Sequence, residues 1–162
     1  MPGLFVTIVQ DPKDPLILPE TDGGPPHLTI FWCPKGSVPD EVLRRMTELA
    51  EYALSGKAFS LTEAWLNSFT KEQALPATPT ALAGKVRHDV LLSVDPRTTQ
   101  RIEELRAELK KMMTEEAIQV SAFRTPHITA ATEWDQAVAE EKLAVFSQLL
   151  SQLNLSFGVA YN

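Results

Sequence analysis

Two histidines stand in the same local setting far apart in this chain, as Pro26-His27-Leu28-Thr29 and Pro126-His127-Ile128-Thr129. On a β-strand successive side chains alternate between faces, so each triplet offers one imidazole and one hydroxyl to a common side. If two such strands lie together, the paired imidazoles can serve as acid and base, and the paired hydroxyls can hold an oxyanion. That combination suits phosphodiester chemistry without a metal. The coincidence of residue type, spacing and preceding proline makes two ordinary strands a poor explanation.

The background against which these triplets sit is a chain of 162 residues, 44% hydrophobic, with net charge −6 and a pI near 5.1. This length and apolar content fit one domain, residues 1–162, with a sizeable core. An acidic chain lacks the electrostatic footprint for gripping a long nucleic-acid backbone, so any nucleotide ligand is expected to be small. Cys33 stands alone and reads as a small apolar filler rather than a nucleophile. No basic-then-apolar leader is visible, and no apolar run approaches the ~20 residues of a membrane span, so a reducing cytoplasm is the expected setting. Zinc-type Cys and His spacing is missing, and no cofactor, metal, membrane or obligate protein partner is implied.

The elements that must position the triplets are legible in order. Leu4 to Val9 reads as a strand buried on both faces. Gln10 to Pro26 holds five prolines and two glycines and forms a long loop, either a lid or rim over the site or a solvated connector. His27 to Trp32 is a strand with His27, Thr29 and Phe31 on one face. Ser37 caps a helix with Pro39, Asp40 and Glu41 in its first turn and Val42, Met46, Leu49, Ala50 and Ala53 on its apolar stripe, until Gly56 stops it. Phe59 to Leu66 alternates with Phe59, Leu61, Glu63 and Trp65 on one side, which makes Trp65 a candidate base-stacking residue.

Asn67 to Lys85 lacks periodicity and forms a second long loop. Val86 to Val94 is a strand, in which His88 shares a face with Val86, Val90 and Leu92 and reads as a packed or edge residue rather than a catalytic one. Asp95-Pro96 opens a helix with Ile102, Leu105, Leu109 and Met112 inward. Ala117 to Phe123 reads as a strand leading through Arg124 into the second triplet. Asp135 starts a helix carrying Ala139, Leu143, Phe146, Leu150 and Leu153. Leu155 to Tyr161 closes the chain as an alternating strand with Tyr161 on the face of Phe157 and Val159. Strands and helices mixed in this way, with no Gly-rich phosphate loop, define an α+β class with largely antiparallel sheet.

With both His-x-Thr triplets placed on strands in this order, the chain resembles the 2H phosphoesterase superfamily, which includes the 2′-5′ RNA ligase-like enzymes and cyclic phosphodiesterases. Nearly the whole chain takes part in the resemblance. It implies a bilobal fold of two pseudo-symmetric antiparallel sheets around a central cleft, with helices outside. It also implies a metal-independent hydrolase in which His27 and His127 exchange protons with the reacting oxygens while Thr29 and Thr129 bind the phosphoryl oxygens. One departure is Ala130-Ala131-Thr132 after the second triplet, where many relatives carry an Arg. Arg124 is the candidate replacement cation, and Lys85, Arg87 and Arg124 together could make a local basic patch.

A closer similarity, resting on Pro2 to Val6, the Glu63 and Trp65 strand and Phe123 to Thr129, is to phage-encoded members that destroy cyclic oligonucleotide immune signals. It implies small 2′-5′-linked or cyclic oligonucleotides as substrate, with Trp65, Tyr161 and Arg124 as binding residues. The alternatives are a 2′,3′-cyclic phosphodiesterase in RNA end processing and a nucleotide-binding relative without chemistry.

Overall fold

Leu4, Val6, Leu28, Ile30, Val90, Leu92, Ile128 and Ala130 are each 1% exposed or less. They form the buried face of a single sheet. The computed structural model describes residues 3–21, 24–32, 38–69, 85–115 and 125–161. Its strands are β1 (Gly3–Gln10), β2 (His27–Trp32), β3 (Ala58–Phe59), β4 (Leu61–Phe69), β5 (Arg87–Val94), β6 (His127–Glu133) and β7 (Leu155–Tyr161). The order across the sheet is β3-β7-β1-β2-β6-β5-β4, and every pairing is antiparallel. The helices α1 (Asp40–Leu54), α2 (Pro96–Glu115) and α3 (Gln136–Leu149) pack on the buried face. The fold is α+β.

The two edge strands, β3 and β4, are separated in the chain by Ser60 alone, so the sheet curls until it nearly closes into a barrel. Asp95 ties this turn down: its amide donates to the Ser60 carbonyl at 2.9 Å, and the Ser60 amide donates to its carboxylate at 2.9 Å. The same carboxylate accepts from the Thr98 amide and hydroxyl, each at 2.8 Å, capping α2 with Pro96 in the first helical position. Asp135 caps α3 through Ala137 and Val138. Gly56, at φ +73°, adopts the left-handed conformation after α1 that favours glycine.

The strands slip register in a pattern that decides which residues face the site. Ile30 is left over between Leu4↔Phe31 and Phe5↔Thr29, and Ala130 between Val90↔Ala131 and Leu91↔Thr129. Each triplet therefore runs directly into a β-bulge, a device that ends a run of alternation and re-aims the residues beyond it. Thr62 is the extra residue in β4, and Thr7 faces both Gly158 and Val159 in β7.

Several expectations change as a result. Strict alternation groups Leu61 with Glu63 and Trp65, but the bulge at Thr62 leaves Leu61 in the core at 5% exposure, paired with Val94. Glu63 pairs instead with Ser93 on the other face. The bulge in β7 likewise separates Tyr161, across from Phe5, from Phe157, which is buried across from Ile8. The alternation expected through Phe31 breaks at Ile30. β1 is buried on one face rather than two, since Val9 is 53% exposed.

Other differences concern boundaries. β4 runs on to Phe69 and β5 begins at Arg87, with Val86 exposed before it. Helix α1 begins at Asp40 with Pro39, which has no side-chain acceptor, in the capping position. On α2 Met112 is partly buried against the core as expected, and Met113 beside it, also at helical spacing from Leu109, is fully buried. Leu150 and Leu153 come after α3, at a short 3₁₀ turn rather than on the helix. Cys33, Ser37, the segment 117–123 and Arg124 lie outside the described residues.

Candidate active site

The two triplets meet at the middle of the sheet. Leu28 pairs with Ile128, the one register pair between β2 and β6. One step along each antiparallel strand sets His27 across from Thr129 and Thr29 across from His127. Leu28 and Ile128 are both fully buried under the helices. Their neighbours on either side therefore point to the opposite face, where His27, Thr29, His127 and Thr129 are all half-buried.

Each imidazole is held by its own backbone in the same way. Nδ1 of His27 donates to the Pro25 carbonyl at 2.8 Å, and Nδ1 of His127 donates to the Thr125 carbonyl at 2.9 Å. A carbonyl can only accept, so both rings carry a proton on Nδ1, and Nε2 is the nitrogen that can exchange a proton with a ligand. The ring of His27 also meets the edge of Phe5, with centroids 5.3 Å apart at 75°. In each case the residue before the histidine is a proline, which favours the extended turn that brings the carbonyl two residues back onto the ring.

Across the sheet the pairings define two rows of register positions through the site. The first runs Thr7, His27, Thr129, Leu91, Trp65, and the second runs Ser93, His127, Thr29, Phe5, Tyr161. A two-fold rotation about the Leu28 and Ile128 pair exchanges the rows position by position. Under it Trp65 and Tyr161, both expected as binding residues, are equivalent register positions at opposite ends. The indole Nε1 of Trp65 donates to the Ser93 hydroxyl at 3.0 Å.

Behind β2 lies a residue that periodicity did not single out. Arg106 of α2 is 7% exposed, and its Nε donates to the Ile30 carbonyl at 2.7 Å and a terminal nitrogen to the Thr29 carbonyl at 2.8 Å. Burial pushes its pKa down, opposed by the charge of Glu103. The bulge at Ile30 takes these carbonyls out of regular pairing, and the guanidinium supplies the donors they need. An arginine on the apolar side of an amphipathic helix was the available signal.

Thr7 and Ser93 were also missed. Each is a lone hydroxyl in an apolar strand, and nothing in a strand's periodicity separates that from a tolerated polar residue. His88 is a packed histidine as expected, 7% exposed, with its Nδ1 2.7 Å from the Ser68 hydroxyl. Arg87 is bound to Asp89 through two bonds of 2.9 and 3.2 Å, and the Thr132 hydroxyl donates to the same carboxylate. Lys85 is exposed. A groove of about 770 Å³ lies elsewhere, by the β3–β4 turn, lined in part by Lys57, Asp95, Arg97 and Arg101. Among the described residues no cluster of three or more His, Cys, Asp or Glu is placed to hold a metal ion, and no helix is long and apolar enough to cross a membrane.

Set beside known proteins, the chain matches no protein-family model and no curated protein.

Proposed function

We propose that this protein is a 2H-type phosphodiesterase with the bilobal architecture of that superfamily, the two halves of the sheet forming its lobes and the triplet face its cleft. The observation that carries this reading is the two-fold equivalence of the triplets, each imidazole fixed through Nδ1 and set across from the other triplet's threonine. Two diagonal positions on adjacent strands are ~7–8 Å apart at the backbone, which leaves room for a phosphoryl group between the rings. One Nε2 takes the proton of the attacking oxygen, a ribose hydroxyl or water. The other delivers a proton to the leaving oxygen. Thr29 and Thr129 donate to the non-bridging oxygens as charge grows on phosphorus. No metal is required for any of these steps.

The substrate class we favour is a small 2′-5′-linked or cyclic oligonucleotide. A net charge of −6 disfavours a polymer, while an indole anchored by Ser93 provides a surface on which a base can stack, worth ~1–3 kcal/mol. The test is to incubate the protein with cyclic di- and trinucleotides, linear 2′-5′ oligoadenylate, nucleoside 2′,3′-cyclic phosphates and a structured RNA, and to separate products by mass. Cleavage of the first two groups is expected. Turnover only of mononucleotide cyclic phosphates or RNA would reject the substrate class and favour end processing. No turnover of any phosphodiester, with nucleotide binding retained, would reject the enzyme.

A further inference from the structure

Each histidine holds a register position between two hydroxyl-bearing residues, and only one of each pair belongs to a His-x-Thr triplet. His27 is paired with Thr7 on β1, and counted one step from the Leu28 and Ile128 pair its opposite position on β6 is Thr129. His127 has Thr29 on β2 to one side and Ser93 on β5 to the other. Cross-strand partners share a face with their side chains about 4.5–5.5 Å apart at Cβ, so Thr7 and Ser93 border the same cleft. Both are half-buried.

The local structure is arranged around these two groups. A Cβ at Gly158 would fall 2.1 Å from the Thr7 hydroxyl oxygen, so in this rotamer the hydroxyl leans over β7 into space that the missing side chain at Gly158 leaves open, and it reaches a ligand beside His27 by turning about its Cα–Cβ bond. On the other side, the Ser93 oxygen accepts the Trp65 indole proton at 3.0 Å. A hydroxyl has one proton to give. With its oxygen already accepting from the indole, Ser93 keeps that proton to donate, at the register position paired with His127.

We propose that Thr7 and Ser93 contact the substrate, one in each half of the site, and that the ligand is a phosphodiester joining two nucleosides with one nucleoside on each side of the scissile phosphate. Thr7 serves the nucleoside beside His27, and Ser93 the one beside His127. The inference rests on the phosphodiesterase reading and extends it, because the triplets alone would serve a mononucleoside ester equally well. The two-fold match of the rows favours a ligand that itself has two similar halves.

The experiment measures kcat/KM of the wild type, Thr7→Ala and Ser93→Ala with 2′-5′-linked adenylyl-adenosine and with adenosine 2′,3′-cyclic phosphate. Thermal melts of each variant check that the fold persists. With the dinucleoside ester, Thr7→Ala and Ser93→Ala should each lose at least about tenfold, the scale of one hydrogen bond to a charged or strongly polar group. With the mononucleoside ester, which fills one half, no more than one of them should. Wild-type rates in both hydroxyl variants, with His27→Ala and His127→Ala inactive, would overturn this inference and leave the phosphodiesterase standing. Equal losses of both variants on both esters would overturn the two-sided ligand. Failure of the wild type to cleave either ester or any other phosphodiester would remove both readings together.

Discussion

Leu28 and Ile128 face each other across the centre of the sheet, and theirs is the one register pair joining β2 to β6. Both are fully buried, so the contact that aligns the two triplets is an apolar one on the far side of the sheet from the candidate site. A change there should act on geometry and stability together. Leu28→Ala is expected to cost about 2–5 kcal/mol in a denaturant titration, the range for truncating a buried leucine, and to lower kcat at permissive temperature. Wild-type kcat in the folded variant would show that the seam does not set the spacing of the imidazoles.

His27→Ala and His127→Ala should each abolish turnover of the preferred substrate while leaving the melting temperature close to that of the wild type. Their rings are half-buried on the site face and make no part of the core. Substantial residual activity in either variant, measured under single-turnover conditions, would contradict the two-histidine mechanism.

Thr29→Ala and Thr129→Ala should be milder and should resemble each other. Each removes one donor to the developing charge, an effect of roughly 2–4 kcal/mol on the transition state, read as a fall in kcat/KM. The two-fold arrangement predicts losses of the same order, so a large disparity between them would argue for unequal roles.

Arg106 reaches the carbonyls of Thr29 and Ile30 from behind the strand, which makes it a positioning residue. Arg106→Ala takes the donor from a buried acceptor at Ile30, at about 1–3 kcal/mol, and from a part-buried one at Thr29. Arg106→Lys keeps the charge but loses the planar fork, and it should rescue stability in part. If Arg106 positions Thr29, the folded Lys variant will show reduced kcat with little change in KM, whereas a purely structural role would leave both unchanged.

Acid stability should depend on Asp95. Burial raises its pKa, but bonds from the Ser60 amide and from the amide and hydroxyl of Thr98 lower it by more, and the net shift is downward. A carboxyl whose folded pKa lies below its unfolded value stabilises the fold above the unfolded pKa, and that contribution is lost as pH falls through the folded one. Asp95→Asn should therefore be less stable than the wild type at neutral pH, with the gap closing below about pH 4. A gap in melting temperature that stays constant down to acid pH would refute this linkage. Activity, by contrast, should be unaffected by chelators.

How far sequence reaches is clearest at the triplets themselves. His27, Thr29, His127 and Thr129 were placed on one face by the two-residue period of a strand, a purely local rule that the burial of Leu28 and Ile128 obeys. The caps at Asp95 and Asp135 and the stop at Gly56 were local as well, since each depends on a few neighbouring backbone groups. What the chain could not disclose locally were the bulges at Ile30, Thr62 and Ala130 and the slip opposite Thr7, because a register shift is a property of two strands and not of one. Those slips took Leu61 away from Glu63 and Tyr161 away from Phe157. Antiparallel pairing across distant segments then brought Thr7 and Ser93 beside the imidazoles and Arg106 beneath the first triplet. Sequence alone determined that the two triplets each present a histidine and a threonine on one strand face; long-range pairing decided which other residues stand next to them.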